Sequence, residues 1–327
     1  MYAIRTDLAL EARELVSQTL GEKIPGLNVE MKEESGVTIT SLQITTEHAA
    51  QTLGKPVGHY LTIETPQLRD KDSDLQNRIS TLFAQYFAQY LHNVGISNQA
   101  KVLIVGLGNW NVTPDALGPM VVENVLVTRH YFELMPDQVE PGYRQVSAIA
   151  PGVLGITGIE TSEIVRGIVD KSKPDVVIAI DALASKALER VNTTIQIANT
   201  GIHPGSGIGN KRKGLTEQEL GIPVIAIGVP TVVYASTIVN STIEMLLRNF
   251  EQQTEHTGAI LGLLSSLTET ERLEMVKEVL DPLGHNLLVT PKEIDQFIED
   301  MAHLIATGLN AALHEAVHQQ NVGAFTH

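Results

Sequence analysis

Two aspartates follow apolar segments that are typical of buried β-strands. Asp181 comes directly after Val176–Ile180, and Asp115 follows Val102–Val105 through a loop that contains two glycines. Because ligands of open α/β sheets bind outside the carboxyl ends of the strands, we expect both carboxylates to face one cleft. When two carboxylates lie close together, one of them keeps its proton to a higher pH, which leaves an acid beside a base. Such a pair can activate water against an amide bond. The alternative is that each aspartate only caps a helix or a strand end.

Three residues near the C-terminal end have the spacing of a zinc peptidase. His314, Glu315 and His318 form the pattern His-Glu-x-x-His. On a helix, this spacing places both histidines on one face as zinc ligands, with the glutamate as general base. The third ligand would be His327 or a residue further upstream. A zinc peptidase therefore stays open as an alternative.

Two glycine-containing loops deviate from the known phosphate-binding motifs. The Gly106–Gly108 segment is followed by Asn111, where the dinucleotide fingerprint requires a third glycine. Gly205–Lys211 resembles a P-loop only loosely, because Arg212 replaces the serine or threonine that binds magnesium. With Lys213, this basic run is either a solvated loop or a contact for an acidic group on a ligand. The non-enzyme alternative is an acidic α/β module that binds a phosphate or a basic protein at this loop.

His203 stands among glycine and proline residues, which predicts a loop. On a loop it can assist catalysis or bind a metal, and the alternative is an ordinary hydrogen-bonded histidine. Serine catalysis has no support, because the Gly-x-Ser-x-Gly pattern of the α/β-hydrolases does not occur in the chain.

The composition excludes several classes of site and partner. The chain has 327 residues and no cysteine, which excludes disulfide scaffolds, thiol nucleophiles and cysteine-ligated metals. A formal net charge of −15 opposes binding to nucleic-acid phosphates, and a 4% share of aromatic residues argues against a base-stacking surface. The first residues lack the pattern of a signal peptide. We therefore expect a cytoplasmic protein without a nucleic-acid partner.

The elements that must position the aspartates follow an α/β pattern. Continuous apolar segments typical of parallel strands buried on both faces occur at Lys101–Gly108, Asp175–Ile180 and Pro223–Val229. Helices are predicted between them at Gly118–Arg129, Thr161–Lys171 and Ser185–Val191. This alternation predicts a doubly wound, mostly parallel α/β sheet.

Further elements are predicted on both sides of this sheet. Before it we expect a helix at Leu8–Leu20, strands at Gly36–Thr45 and Tyr60–Glu64, and a helix at Leu75–Leu91. After residue 250 we expect helices at Glu269–Leu280, Pro291–Thr307 and Gly308–His318. The chain thus divides into an α/β catalytic domain over residues 8–250 and a helical C-terminal segment over residues 251–327.

One uncharged stretch could be mistaken for a membrane span. Leu220–Ile243 contains no charged residue, but Pro223 and Pro230 interrupt it. A spanning helix prefers a continuous run of apolar residues. We therefore expect a buried strand followed by a buried helix, and no membrane partner.

Four long stretches of the chain resemble the germination proteases, or spore proteases, of endospore-forming bacteria. The stretches are Arg5–Glu11, Gly106–Pro119, Val177–Ser185 and Thr200–Lys213. The resemblance extends along essentially the whole chain. It implies an unusual endopeptidase with a fold similar to the hydrogenase maturation proteases. The catalytic pair of this family would fall on Asp115 and Asp181, the same residues that their positions select.

The resemblance also implies a biological role. It implies a zymogen made in the developing spore, located in the forespore and later in the spore core, that degrades small acid-soluble spore proteins during germination. It further implies a homotetramer. Asn109, in the loop that carries Asp115, and His203 are the candidates for assisting residues. We take Asp181 as base and Asp115 as acid, with the reverse assignment open. No cofactor is expected, although a metal ion between the carboxylates stays open because the related maturation enzymes bind one.

The resemblance finally implies a processing site near the N-terminus. The family cuts after glutamate or aspartate, before a hydrophobic residue that is followed by alanine. Asp7-Leu8-Ala9 matches this pattern, and Glu11 matches a downstream acidic preference. Cleavage between Asp7 and Leu8 would release a propeptide of residues 1–7. Ile4 departs from the family pattern, because substrates carry an acidic residue at that position.

Overall fold

The computed structural model of the protein describes residues 7–20, 24–69, 73–203, 213–252, 271, 275 and 287–317. Within these residues, one mixed sheet runs through the molecule. Its strands are β1 (Leu27–Glu34), β2 (Val37–Ile44), β3 (Gly58–Glu64), β4 (Val102–Gly106), β5 (Val146–Ile149), β6 (Val176–Ser185), β7 (Thr194–Ala198), β8 (Val224–Tyr234) and β9 (Leu288–Val289). The strand order is β1-β2-β3-β7-β8-β6-β4-β5, and β9 pairs with the end of β8.

The helices of the described residues cover the two faces of this sheet or connect its strands. They are α1 (Ala9–Leu20), α2 (Glu47–Leu53), α3 (Ser73–Asn93), α4 (Leu117–Asn124), α5 (Arg129–Leu134), α6 (Leu154–Thr157), α7 (Thr161–Ser172), α8 (Glu217–Leu220), α9 (Ala235–Gln252) and α10 (Ile294–Leu313). The predicted helices at the N-terminus, before β4 and before β6 are confirmed.

The predicted α/β sheet is confirmed, and its parallel part consists of β5, β4, β6 and β8. The central strands are continuous apolar runs because α3, α4 and α10 cover one face and α7 the other. Parallel pairing brings the carboxyl ends of β4, β6 and β8 to the same edge. Asp181 pairs with Gly228 of β8 in this register.

The other half of the sheet is antiparallel. β1, β2 and β3 form a meander, β3 pairs with β7, and β7 pairs antiparallel with β8. This arrangement joins residues that are far apart in the chain, since β7 lies more than a hundred residues after β3. It places the segment between α2 and β3 beside the carboxyl ends of the parallel strands.

The C-terminal helix α10 belongs to the main core. Ile298, Ile305 and Leu309 are fully buried and pack with α3, α4 and the sheet. The two helices predicted over 291–307 and 308–318 are one helix, α10, which ends at Leu313. The helix predicted at Glu269–Leu280 falls almost entirely outside the described residues.

The prediction of a helix at Ser185–Val191 was wrong. Strand β6 continues to Ser185, because Ala184 and Ser185 keep pairing with β8 past a β-bulge, and only a short 3₁₀ turn follows at Leu188–Arg190. The predicted order of a strand and then a helix is confirmed by β8 and α9, but Pro230 does not end the strand, because β8 continues through it to Tyr234. Among the described residues, none of the helices combines the length and the apolar character that crossing a membrane requires.

Candidate functional site

Strand β6 places Asp181 at the carboxyl edge of the parallel strands. Its side chain is 7% exposed, and its Oδ1 accepts a hydrogen bond of 3.0 Å from the backbone N–H of Ala182. The apolar run Val176–Ile180 ends at this residue, so the strand itself determines where the carboxyl group lies.

Asp115 reaches the same place through the loop that follows β4. Gly108 has a φ of +119°, which glycine adopts readily, and a Cβ there would lie 1.9 Å from the carbonyl oxygen of Asp115. The backbone N–H of Asn109 donates to that carbonyl at 3.0 Å. The Thr231 hydroxyl of β8 donates to the carbonyl of Pro114 at 2.7 Å. The two glycines of this loop therefore serve a close turn rather than a phosphate site.

The N-terminus of helix α4 packs directly on the ends of β4 and β6. A Cβ on Gly118 would lie 2.3 Å from the carbonyl oxygen of Leu107 and 2.6 Å from that of Ile180. A Cβ on Gly106 would lie 2.1 Å from the carbonyl oxygen of Gly118. Glycines at both positions thus allow a backbone approach that brings Asp115, just before α4, to Asp181, just after Ile180.

The two carboxyl groups influence each other. Burial raises the pKa of Asp181 well above the usual aspartate value, and the negative charge of Asp115 raises it further. The hydrogen bond from Ala182 and the charge of Asp7 act in opposite directions on this pKa, the first lowering and the second raising it. Asp181 therefore keeps its proton to a higher pH than an exposed aspartate does.

A cavity of about 680 Å³ opens onto this pair. Asp115 and Asp181 line it together with residues of β6, β7 and β8 and of the segments beside them. The described lining residues that carry polar or titratable side chains are Asp7, Lys55, Tyr60, Asp115, Asp181, Gln196, Thr200, His203, Thr231 and Thr290. Two carboxyl groups at the wall of a deep cleft can act as acid and base on a bound substrate.

The N-terminal segment of the chain reaches this cavity through Asp7, which forms part of its wall. The carbonyl oxygen of Asp7 accepts hydrogen bonds from Lys55 Nζ at 2.9 Å and from Gln196 Nε2 at 3.3 Å. The Oε1 atom of the same Gln196 accepts a hydrogen bond of 2.6 Å from the backbone N–H of Ala9. The side-chain amide of Gln196 therefore bonds to the backbone on both sides of Leu8, next to the Asp7–Leu8 peptide bond. The side chain of Leu8 is completely buried.

The side chain of Asp7 is bound by strand β6. Its Oδ2 accepts a hydrogen bond of 3.1 Å from the backbone N–H of Ala184, three residues after Asp181. Burial raises the pKa of Asp7, against the effects of the Ala184 hydrogen bond and the charge of Lys55. The peptide bond that the sequence predicts to be cut thus lies at the cavity that holds the aspartate pair. Residues 1–6 of the predicted propeptide lie outside the described part.

Glu11 fixes helix α1 to the end of β6. This residue is 2% exposed. Its carboxylate accepts hydrogen bonds from the Ser185 hydroxyl at 2.7 Å and from the backbone N–H groups of Lys186 and Ala187 at 2.9 and 3.0 Å. The guanidinium of Arg190 lies 3.7 Å away. The downstream acidic residue noted in the sequence is therefore bound by the chain segment that follows β6.

The assisting residues suggested by the sequence take different positions. His203 lines the cavity. Asn109 does not belong to the described lining; its Oδ1 accepts from the backbone N–H of Asn111 at 3.0 Å, and so it stabilises the turn before Asp115. Most of the basic loop, including Lys211 and Arg212, lies outside the described residues. Lys55, Gln196 and Ala184 were missed, and no local sequence signal marks them.

The zinc alternative requires a helix that carries His314, Glu315 and His318, and helix α10 does not extend that far. Helix α10 ends at Leu313, so the pattern that begins at His314 does not lie on one helix face. His314 is fully buried; its Nδ1 accepts from the backbone N–H of Arg144 at 3.1 Å, and its Nε2 lies 3.4 Å from the carbonyl oxygen of Leu126. Glu315 Oε1 accepts from the side chain of Asn98. His318 lies outside the described residues.

A metal at the aspartate pair would need further ligands. Among the described residues, no group of three or more His, Asp or Glu side chains is placed to hold a metal ion. In the part of the chain that the structure describes, Asp115 and Asp181 are thus not joined by a third carboxyl or imidazole group in a metal-binding arrangement.

Comparison with known proteins decides the family. A sequence model of the family described as germination protease matches residues 5–259 and 251–326. The chain belongs to the germination protease family. It is 52% identical to the germination protease of Bacillus cytotoxicus and 51% identical to that of Bacillus cereus, with 100% of this chain and 98% of each relative covered. Membership of the germination protease family makes the chain a peptidase.

One solved structure was also found to be similar. It is the crystal structure of the NiFe hydrogenase maturation protease HycI from Thermococcus kodakarensis KOD1. That chain is 15% identical, with a TM-score of 0.32, and the match covers 68% of this chain and 98% of that one.

Proposed function

We propose that the chain is an aspartate-dependent endopeptidase that activates water with Asp115 and Asp181. The observation that carries this proposal is the meeting of three groups at one cavity. The two carboxyl groups and the Asp7–Leu8 segment come from separate parts of the chain and meet at the carboxyl edge of the sheet. This is the arrangement expected of a peptidase with its own chain bound as substrate.

The electrostatics favour one assignment of roles. The sequence alone suggested Asp181 as base, but its burial and the neighbouring charge favour the protonated form. Asp115 is less buried than Asp181, and its negative charge is one of the causes that raise the pKa of Asp181. The roles are therefore the reverse of those the sequence suggested. Asp115 takes a proton from a water molecule while the oxygen of that water attacks the carbonyl carbon. Asp181 gives its proton to the leaving nitrogen as the C–N bond breaks.

The bound N-terminal segment supports a zymogen that cuts itself between Asp7 and Leu8. Residues 1–7 would then be the propeptide. While the segment is bound, Asp7 occupies part of the cavity wall beside the aspartate pair, where another peptide would have to bind. Binding of the Asp7 carboxyl by Ala184 supports the preference for an acidic residue before the cut. The completely buried Leu8 supports a hydrophobic residue after it.

Family membership supports the physiological part of the proposal. The substrates would be small acid-soluble spore proteins, cleaved in the spore core during germination. The active form would be a homotetramer in the cytoplasm of the spore. His203 would assist from the cavity wall, and Asn109 would act only by shaping the loop of Asp115.

The proposal is tested by self-cleavage of the full chain and its Asp115→Asn and Asp181→Asn variants. We expect the wild type to lose residues 1–7 at mildly acidic pH, and each variant to slow this loss by about 10³-fold or more. Intact mass measures the loss, and circular dichroism checks that each variant is folded. Adding a chelator should leave the wild-type rate unchanged. Cleavage at the wild-type rate by either variant would refute the aspartate pair.

A further inference from the structure

Lys55 makes a contact that the two aspartates do not explain. Its Nζ lies 2.9 Å from the carbonyl oxygen of Asp7. This is the oxygen that becomes negatively charged when water adds to the Asp7–Leu8 bond. Gln196 Nε2 donates to the same oxygen at 3.3 Å. Two donors on one carbonyl oxygen form the arrangement by which hydrolases stabilise a tetrahedral intermediate.

The backbone around Lys55 is fixed from both sides. Helix α2 ends at Gly54, which has a left-handed φ of 63°, and the N–H of Lys55 donates back to the carbonyl of Ala50 at 3.1 Å. On the other side, the Tyr60 hydroxyl donates to the carbonyl of Pro56 at 2.8 Å. The backbone that carries the Lys55 side chain is therefore held in place before the reaction begins. This lowers the cost of reorganisation when charge develops.

The charge balance of the cavity also points to Lys55. Among the described residues that line the cavity, Lys55 is the only lysine or arginine, whereas Asp7, Asp115 and Asp181 supply three carboxyl groups. Burial lowers the pKa of Lys55, and the charges of Asp7 and Glu11 raise it. A partly dehydrated ammonium interacts more strongly with a developing negative charge than an exposed one does.

We propose that Lys55 is a catalytic residue of this peptidase, whose ammonium group stabilises the negative oxygen of the tetrahedral intermediate. The proposal rests on the proposed function. Water forms a bond to the carbonyl carbon and gives a proton to Asp115, and the electron pair of the C=O bond moves to the oxygen beside Lys55. When the C–N bond breaks, this pair re-forms the carbonyl, and the nitrogen of Leu8 takes the proton of Asp181.

The absence of cysteine allows a direct chemical test. In the full chain, Lys55→Cys places the only thiol at position 55. Alkylation with 2-bromoethylamine restores an ammonium group at nearly the length of lysine. Alkylation with iodoacetamide adds a neutral group of similar size. The readouts are the first-order rate of Asp7–Leu8 cleavage by intact mass, and the thermal unfolding midpoint of each form.

We expect the unmodified and the amide-bearing forms to cleave at least about 100-fold more slowly than wild type. The aminoethylated form should regain a rate within about tenfold of wild type, while all forms unfold at similar temperatures. Lys101→Cys, at an exposed lysine before β4, should cleave at the wild-type rate with either label. A wild-type rate for Lys55→Cys, or equal rescue by both labels, would overturn the proposal.

The same experiment separates this proposal from the proposed function. If wild type cleaves and Asp181→Asn does not, the peptidase assignment stands, and the Lys55 forms alone decide the role of the ammonium group. If the wild type cleaves neither itself nor a peptide with its residues 4–14, the proposed function fails and the role of Lys55 fails with it.

Discussion

Asp181 shows how a single buried carboxyl group makes stability depend on pH. Its pKa is raised in the folded protein by burial and by Asp115. Above the usual aspartate value of 3.8, the unfolded chain loses this proton while the folded chain keeps it. The folded state then binds more protons than the unfolded state, so this residue lowers the stability as the pH rises through that window.

This sign predicts a pH-dependent effect of Asp181→Asn. The variant removes the group that resists ionisation, while its Oδ1 can still accept from Ala182. We expect its free energy of unfolding, relative to wild type, to be higher at pH 8 than at pH 4. Urea unfolding at the two pH values measures this difference. Asp170→Asn, at an exposed position of α7, should show the same relative stability at both pH values. Equal behaviour of the two variants would contradict the raised pKa.

At the scale of elements, the close packing of α4 on the strand ends decides where Asp115 lies. Gly118→Ala places a methyl group within 2.3 Å of the Leu107 carbonyl oxygen, so the helix must move. We expect a loss of about 1–3 kcal/mol in the free energy of unfolding and slower self-cleavage. Denaturant titration and intact mass measure the two effects.

A helical glycine with free space at its Cβ position provides the matched control. Gly167 lies within α7, and a Cβ there would meet nothing within 4 Å. Gly167→Ala should therefore raise stability by about 0.5–1 kcal/mol and leave cleavage unchanged. A destabilisation by Gly167→Ala equal to that by Gly118→Ala would refute the role of close packing.

Helix α1 depends on Glu11 for its attachment. Glu11→Ala removes the carboxylate acceptor of the Lys186 N–H, while the Ala187 N–H keeps the Ser185 hydroxyl as an acceptor at 3.0 Å, so the loss costs about 1–3 kcal/mol. We expect faster hydrogen exchange over residues 9–20 and slower self-cleavage. Glu14 also pairs with Arg190, but its side chain is 44% exposed. Glu14→Ala should cost less than about 1 kcal/mol, and an equal effect of both variants would contradict this attachment.

At the scale of the whole molecule, the sequence predicted about half of the candidate site. Asp115 and Asp181 could be found because an apolar run ends before each of them, and parallel strands end at one edge. Lys55 and Gln196 could not be found. They reach the cavity only because β7 pairs with β3 and β8 across long stretches of chain, and pairing between distant strands leaves no local pattern. The continuation of β6 to Ser185 was missed for a related reason, since its pairing with β8 resumes beyond a bulge.

The burial of Leu8, Ala9 and Leu10 has a consequence for turnover after the first cut. If the chain cuts itself between Asp7 and Leu8 as proposed, these residues lie on the product that stays covalently attached to the enzyme, and a short tether gives such a segment a millimolar effective concentration. The new N-terminus would thus act as a competitive product inhibitor that every incoming peptide must displace. In the cut enzyme, Glu11→Ala should lower the apparent KM for an added peptide more than Glu14→Ala does, as peptide-cleavage kinetics would measure. Equal KM values would mean that the attached product leaves the cavity unaided. Under the proposed self-cleavage, turnover of the cut enzyme would depend on how fast it releases its own first product as well as on its chemistry.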